Sequence, residues 1–232
     1  MKLPILICMA LSATVAAKAQ IAVGPIGGIQ LTRYRQAVDG NFSRNAFASR
    51  VVDMRLGAVA DFPLHNRLHL QSGVQFTTNG FYQQLPGEPP YSFTVNAIEI
   101  PLFLSYHLGM KHQSHFFFSG GILANVNIGG SSKVTYRDVA GNVIGTEVRK
   151  LDIANKVPAD IRRFGGGLGL NAGLQLKRGL FVRLHYQQGL INLYPKPVSD
   201  MYHTASNNYG LTIGYLFNTR WQKEKKDKED KK

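Results

Sequence analysis

Apolar and polar residues alternate strictly over much of the chain, which is the period of half-buried strands and not the 3.6-residue period of a helix. Along 54–62 one face carries Met54, Leu56, Ala58, Ala60 and Phe62, and the other Arg55, Gly57, Val59 and Asp61. Along 68–78, Leu68, Leu70, Val74 and Phe76 oppose His69, Gln71, Gly73, Gln75 and Thr77. Along 94–108, Ile98, Ile100, Leu102, Leu104 and Tyr106 oppose Ala97, Glu99, Pro101, Ser105 and His107. The pattern predicts further strands over 116–128, 164–176, 180–190 and 209–217, and the Gly-rich stretch 23–34 completes a set of eight.

The predicted connections alternate in length. Those at 63–67, 109–114 and 177–179 are tight, whereas 36–50, 81–92, 129–162 and 194–206 are long. An even strand count with short turns on one rim and long loops on the other is the layout of a bacterial outer-membrane barrel, whose turns face the periplasm. The fold expected is therefore all-β: an eight-stranded antiparallel transmembrane β-barrel with short periplasmic turns and long extracellular loops. Within the third long loop, 133–139 and 143–150 flank Ala140-Gly141-Asn142, which predicts an extra hairpin.

Alternation does not say which face is inside, because a soluble ligand-binding barrel turns its apolar face inward. Residue volume decides. The polar face is thinned by Gly57, Gly73, Gly121, Gly165, Gly167, Gly169, Gly173, Gly210 and Gly214, as suits an eight-stranded lumen just wide enough for side chains. The Leu/Ile/Phe face then meets lipid. Aromatic residues near strand ends form the expected interfacial girdle: Phe62, Tyr106, Phe116, Phe118, Tyr215 and Phe217 on the short-turn side, with Tyr34, Phe76, Phe164 and Tyr209 on the other.

The ends change the picture in two ways. Residues 1–19 read as a signal peptide, with Lys2, an apolar run from Leu3 to Ala16 and an Ala17-Lys18-Ala19 cleavage site. The barrel domain is then 20–219, and 220–232 is a charged tail, expected in the periplasm, with seven basic and four acidic residues. The apolar run is shorter than the roughly 20 residues a membrane helix needs, and no later segment approaches that length, which excludes a helical membrane protein. Cys8, the single cysteine, lies in the signal, so the mature chain has no thiol chemistry. The net charge of +13 falls to +11 without Lys2 and Lys18. Export makes anionic lipid, not nucleic acid, the counterpart of that charge. Arg44, Arg50, Lys133, Arg137, Arg149, Lys150, Arg162 and Arg163 near the long-loop rim suit lipopolysaccharide phosphates.

Several segments resemble the PorT-like outer-membrane β-barrel family of Bacteroidetes. They are Ala19-Gln20, Gly27-Gly28-Ile29-Gln30-Leu31, Ile98-Glu99-Ile100-Pro101-Leu102, the glycine run 165–169 and Tyr209-Gly210-Leu211-Thr212-Ile213-Gly214-Tyr215. The resemblance covers nearly the whole mature chain and implies an outer-membrane barrel, with protein secretion as one role known in the family. One departure is that a charged tail follows Phe217, where many such barrels end on an aromatic residue.

Little in the sequence points to catalysis. Alternation places Glu99 in the lumen with Arg55, Asp61, Arg183, His185, Gln75 and Gln175, with Arg163 a further candidate. A buried carboxylate calls for an Arg partner, so a packed polar network is expected. His69, His107 and His185 also point inward, but no H-x-H or H-x-x-x-H pair sets them side by side, and no metal site or cofactor is expected. Ser72 faces outward without a histidine, which leaves a hydrolase incomplete. Gly167-x-Gly169-x-x-Ala172 spells a dinucleotide fingerprint, yet it lies along a strand and does not open a helix. The expectation is a non-enzymatic barrel acting as membrane scaffold or as part of a surface or secretion assembly, partnered by outer-membrane lipid, lipopolysaccharide and other envelope proteins. The alternatives are a small-solute or ion porin lined by Gln71, Gln75, Asn125, Asn171, Gln175 and Gln187, and a soluble ligand-binding barrel.

Overall fold

A computed structural model describes residues 21–217 apart from 39–40, 44–47, 66, 84–88, 110–113, 139, 156–158 and 196–201. The segment 1–19 expected to be a signal peptide, Arg44 and the charged segment 220–232 lie outside the described residues.

Eight antiparallel strands form the wall: β1 (Ala22–Val38), β4 (Val51–His65), β5 (Leu68–Gln83), β6 (Tyr91–Leu108), β7 (His115–Arg137), β9 (Phe164–Gln175), β10 (Leu180–Gly189) and β11 (Tyr202–Tyr215). Short strands β2 (Asn41–Ser43), β3 (Ala48–Ser49) and β8 (Val143–Lys150) decorate the long-loop rim. Each wall strand pairs with its sequence neighbour in the wall, and β11 returns to β1 in register Ile26↔Gly214 to Val38↔Tyr202. Closure removes the sheet edges, which lipid could not satisfy with hydrogen bonds.

Apart from β1, the wall strands obey the inside/outside parity read from the sequence. Along β6, Phe93, Val95, Ala97, Glu99, Pro101, Phe103, Ser105 and His107 are buried, while Ile100, Leu102, Leu104 and Tyr106 are exposed to the surroundings. Glycines on the inner face make room for rings. A Cβ on Gly173 would stand 2.5 Å from the Phe117 ring, one on Gly214 2.4 Å from Phe181, and one on Gly169 2.8 Å from Phe103. The tight turn between β9 and β10 depends on Gly179, which has φ +95° and donates its N–H to Leu176 O at 3.0 Å.

Strands extend further into the predicted loops than the alternation suggested. β7 runs unbroken for 23 residues, beyond the 9–11 that a tilted strand needs to cross a bilayer. Its upper part forms the expected hairpin with β8, from Ser131↔Lys150 to Arg137↔Val143, so the hairpin continues the wall and is not a separate loop element. A bulge makes this possible. The β6–β7 register passes from Ala97↔Asn127 to Asn96↔Gly129, with Ile128 as the extra residue, and such insertions bend a strand at barrel rims.

The interior is layered. At the short-turn end an apolar cluster joins Ala22, Ile26, Val59, Phe117, Phe181 and Leu216. At the long-loop end a second joins Tyr34, Phe93, Val95 and Ile161, with Phe81, Tyr91, Leu151 and Leu193 packed against it. Polar side chains occupy the space between.

Candidate functional site

The centre of the polar layer is Arg55 on β4, whose side chain is 1% exposed. Gln75 on β5 and Glu99 on β6 are direct cross-strand partners, and Arg55 reaches both. Its Nη1 lies 3.0 Å from Glu99 Oε1 and donates to Gln75 Oε1 at 2.9 Å. Its Nη2 donates to Gln30 Oε1 at 3.0 Å on β1 and to Gln187 Oε1 on β10. Gln187 Nε2 then donates to Glu99 Oε1 at 3.0 Å. One ion pair and three glutamines thus tie five of the eight wall strands across the lumen. A buried pair of this kind adds little net stability over an apolar replacement, but losing one partner strands the other charge.

Neighbouring contacts continue the network toward the outer rim. Gln30 Nε2 donates to Thr78 O at 3.0 Å and Asn79 Oδ1 at 3.1 Å, and Asn208 Nδ2 donates to Asn79 Oδ1 at 3.0 Å. On the other side, Asn171 Nδ2 donates to Ser119 Oγ at 2.9 Å, and His185 Nδ1 lies 3.2 Å from Thr212 Oγ1. Arg183 is buried with its guanidinium carbon 5.8 Å from the Phe181 ring centre.

Of the residues expected in the network, Glu99, Arg55 and Gln75 meet as predicted, and Arg183 and His185 flank them. Gln175 faces the lumen lower down, opposite His115 and Phe181. Asp61 is also buried in the lumen, but it lies six residues from Arg55 along β4 and its partner is His69 Nδ1 at 2.7 Å. Arg163 is a correction: it is exposed and donates to Ile153 O at 3.1 Å at the outer rim. Gln30 and the inward aromatics Phe103, Phe117 and Phe181 went unrecognised, although their parity and the facing glycines were available as signals.

The histidines provide a second correction, since the structure brings His69 and His107 together where the spacing did not. Asp61, His69 and His107 each offer a ligand atom, all within 4.8 Å of one another. The His69 and His107 rings stack at 4.0 Å, and His107 Nδ1 lies 2.8 Å from His115 Nε2. Ser72, outward as expected, donates to Pro101 O at 2.9 Å, next to the gap that proline leaves in the β5–β6 ladder.

On the outer face Tyr106, Phe116, Phe118, Tyr209 and Phe217 are exposed, Phe62 is half-buried, and Tyr215 packs on Phe217 at 4.8 Å. Tyr106 and Phe118 are cross-strand partners, so the short-turn girdle is continuous there. Tyr34 departs from the expectation. It shares the parity of Gln30 and Thr32, points inward, and packs on Phe93 at 5.3 Å and Phe81 at 5.8 Å.

Beyond the membrane belt, a cleft of about 320 Å³ opens between Phe81, Tyr91, Arg149, Asp160, Ile161 and Tyr194. Arg149 pairs with Asp160, whose other oxygen accepts Asp152 N–H at 2.9 Å. Partial burial pushes the Asp160 carboxyl up, but the Arg149 and Asp152 hydrogen bonds outweigh it and hold the group below its ordinary value. Asp138 is likewise held low by the Asn142 side chain and backbone, which close the hairpin turn.

A closed eight-stranded barrel with an apolar exterior, an aromatic girdle and a polar interior defines an outer-membrane β-barrel protein. The chain belongs to the outer membrane protein beta-barrel domain family, whose profile matches residues 12–195. It is similar to solved structures of the same architecture. The outer membrane protein OprG of Pseudomonas aeruginosa aligns at 12% identity and TM-score 0.48, over 86% of this chain and 96% of that one. The attachment invasion locus protein Ail of Yersinia pestis aligns at 13% identity and TM-score 0.36, over 84% and 98%. Neisserial surface protein A aligns at 10% identity and TM-score 0.40, over 82% and 96%. No curated protein sequence matches the chain significantly.

Proposed function

We propose that this protein is a non-enzymatic, non-conducting outer-membrane scaffold that contributes an outer-rim platform to a surface or secretion assembly, of the PorT-like kind. The observation that carries the reading is the filled lumen: apolar and aromatic layers at both ends enclose the Arg55–Glu99 network. The many lumen glutamines and asparagines first suggest a porin, but the rings of Phe103, Phe117 and Phe181 occupy the space a solute path would need.

The β7–β8 hairpin supports the platform. It stands above the length of β7 that lipid covers, yet Val143, Ile144 and Val148 are 56%, 68% and 65% exposed. Among the described residues β8 pairs only with β7, so its far edge is free for strand addition by a partner. Exposed Lys133, Arg137 and Lys150 lie on the hairpin itself and suit lipopolysaccharide phosphates, as does exposed Arg50 elsewhere on the rim. Photo-crosslinking from position 148 in intact cells tests the assembly role. A discrete protein adduct that is lost when the exposed Val143 and Ile144 are both replaced by Asp, with the probe still at position 148, is expected, and adducts to lipid alone contradict it.

A further inference from the structure

The cluster at the short-turn end of the lumen has the makings of a site in its own right. It arises from register. Asp61 pairs with Gln71, His69 with Ser105, and His107 with Phe117. Asp61, His69, His107 and His115 are therefore successive diagonal neighbours on β4, β5, β6 and β7, all on the inner face. Diagonal side chains on adjacent strands lie about 7–8 Å apart at Cα and reach one another when long.

Two atoms in this staircase lack what burial requires. Asp61 Oδ1 and His107 Nε2 are fully shielded from solvent and have no hydrogen-bond partner among the described residues. His107 Nδ1 and His115 Nε2 lie 2.8 Å apart, so one proton is shared between them. In the tautomer in which His107 Nδ1–H donates, Nε2 of His107 presents a lone pair. In that tautomer an unpartnered carboxylate oxygen and an imidazole lone pair are both buried in a cluster whose ligand atoms lie within 4.8 Å of one another. Two acceptors without a donor form a poor hydrogen-bonding arrangement and a good cation-binding one.

We propose that Asp61, His69 and His107 bind one divalent transition-metal ion of the zinc class, with His115 fixing the ring orientation of His107. Imidazole and carboxylate ligands suit Zn²⁺, Cu²⁺, Ni²⁺ and Co²⁺ over Mg²⁺ or Ca²⁺. Ligand atoms within 4.8 Å need only side-chain adjustment to reach the roughly 3.3 Å edge of a tetrahedral site with metal–ligand distances of about 2.0 Å. Three protein ligands leave a fourth position open. His69, 19% exposed, gives access from the short-turn side, which faces the periplasm in outer-membrane barrels. His115 occupies the place of the outer-shell partner that metal-binding histidines usually have.

The test uses the full mature chain, free of any histidine tag, folded in detergent and titrated with Co²⁺. Visible d–d absorption reports coordination, and Zn²⁺ serves as competitor. One Co²⁺ per barrel, displaced by Zn²⁺, is expected. Asp61→Asn and His69→Ala should abolish the band, and His115→Ala should weaken binding by about tenfold, while His203→Ala on β11 leaves it unchanged. Heat-modifiable gel mobility confirms that each variant is folded. If Asp61→Asn does not fold, His69→Ala at the accessible rim still decides the question. No stoichiometric Co²⁺ uptake, or uptake undiminished in folded His69→Ala, overturns the proposal.

Discussion

Replacing Glu99 removes the one carboxylate that faces Arg55, and the structure sets the size of the effect. The two side chains are 8% and 1% exposed, so solvent screens the pair little. Leaving a buried charge unpaired costs about 3–5 kcal/mol, but three glutamine oxygens, from Gln30, Gln75 and Gln187, still accept from Arg55. The lower end, about 3 kcal/mol, is therefore expected for Glu99→Leu. Arg55→Met should cost a similar amount, because it leaves Glu99 with Gln187 as its one hydrogen-bond donor among the described residues. The double variant buries neither charge, so it should recover most of the loss and show a coupling energy of about 2 kcal/mol or more. Urea unfolding in lipid vesicles, read by heat-modifiable mobility, measures all four proteins. Additive single effects, with coupling below about 0.5 kcal/mol, would mean that the two groups do not meet in the lumen.

Further outcomes follow from the same geometry. Gly173→Val should destabilise by about 1–3 kcal/mol through collision with the Phe117 ring, while outward Gly120→Ala, whose Cβ would meet the flexible tip of Leu170 and stand at ordinary contact distance from Gly169 O, should change urea stability by less than about 0.5 kcal/mol. Ile100→Lys places a charge on the lipid face midway along β6 and should cost about 2–4 kcal/mol in vesicles; a neutral result would reverse the faces. Asp160 has a depressed carboxyl pKa, so the tie it makes to Arg149 is present above the ordinary value of 3.8 and is lost as pH falls through a lower midpoint. A carbon-detected NMR titration should place that midpoint below 3.8 and return it upward in Arg149→Ala.

How much the sequence discloses depends on whether parity or height is needed. Parity alone places Arg55, Gln75 and Glu99 on one face, and they meet because their strands are also at similar heights. Asp61 has the right parity but sits about 20 Å further along β4, so its partner is a histidine at the rim. That height, and the diagonal path through His69, His107 and His115, follows from turn lengths and register, which alternation does not contain. Tyr34 shows the converse error. Its position near a predicted strand end suggested the girdle, whereas its shared parity with Gln30 already pointed inward. The lumen rings were legible in principle, since Phe117 faces Gly173 and Phe181 faces Gly214, but only once strand pairing is known.

The central claim is that side chains close the barrel, and single-channel recording of the wild-type protein in planar lipid bilayers tests it most directly. A flat baseline with no stable conductance steps is the expected result, even when gel mobility shows that the folded barrel has inserted. A reproducible, ion-carrying open level from the folded protein would contradict it and restore the porin reading.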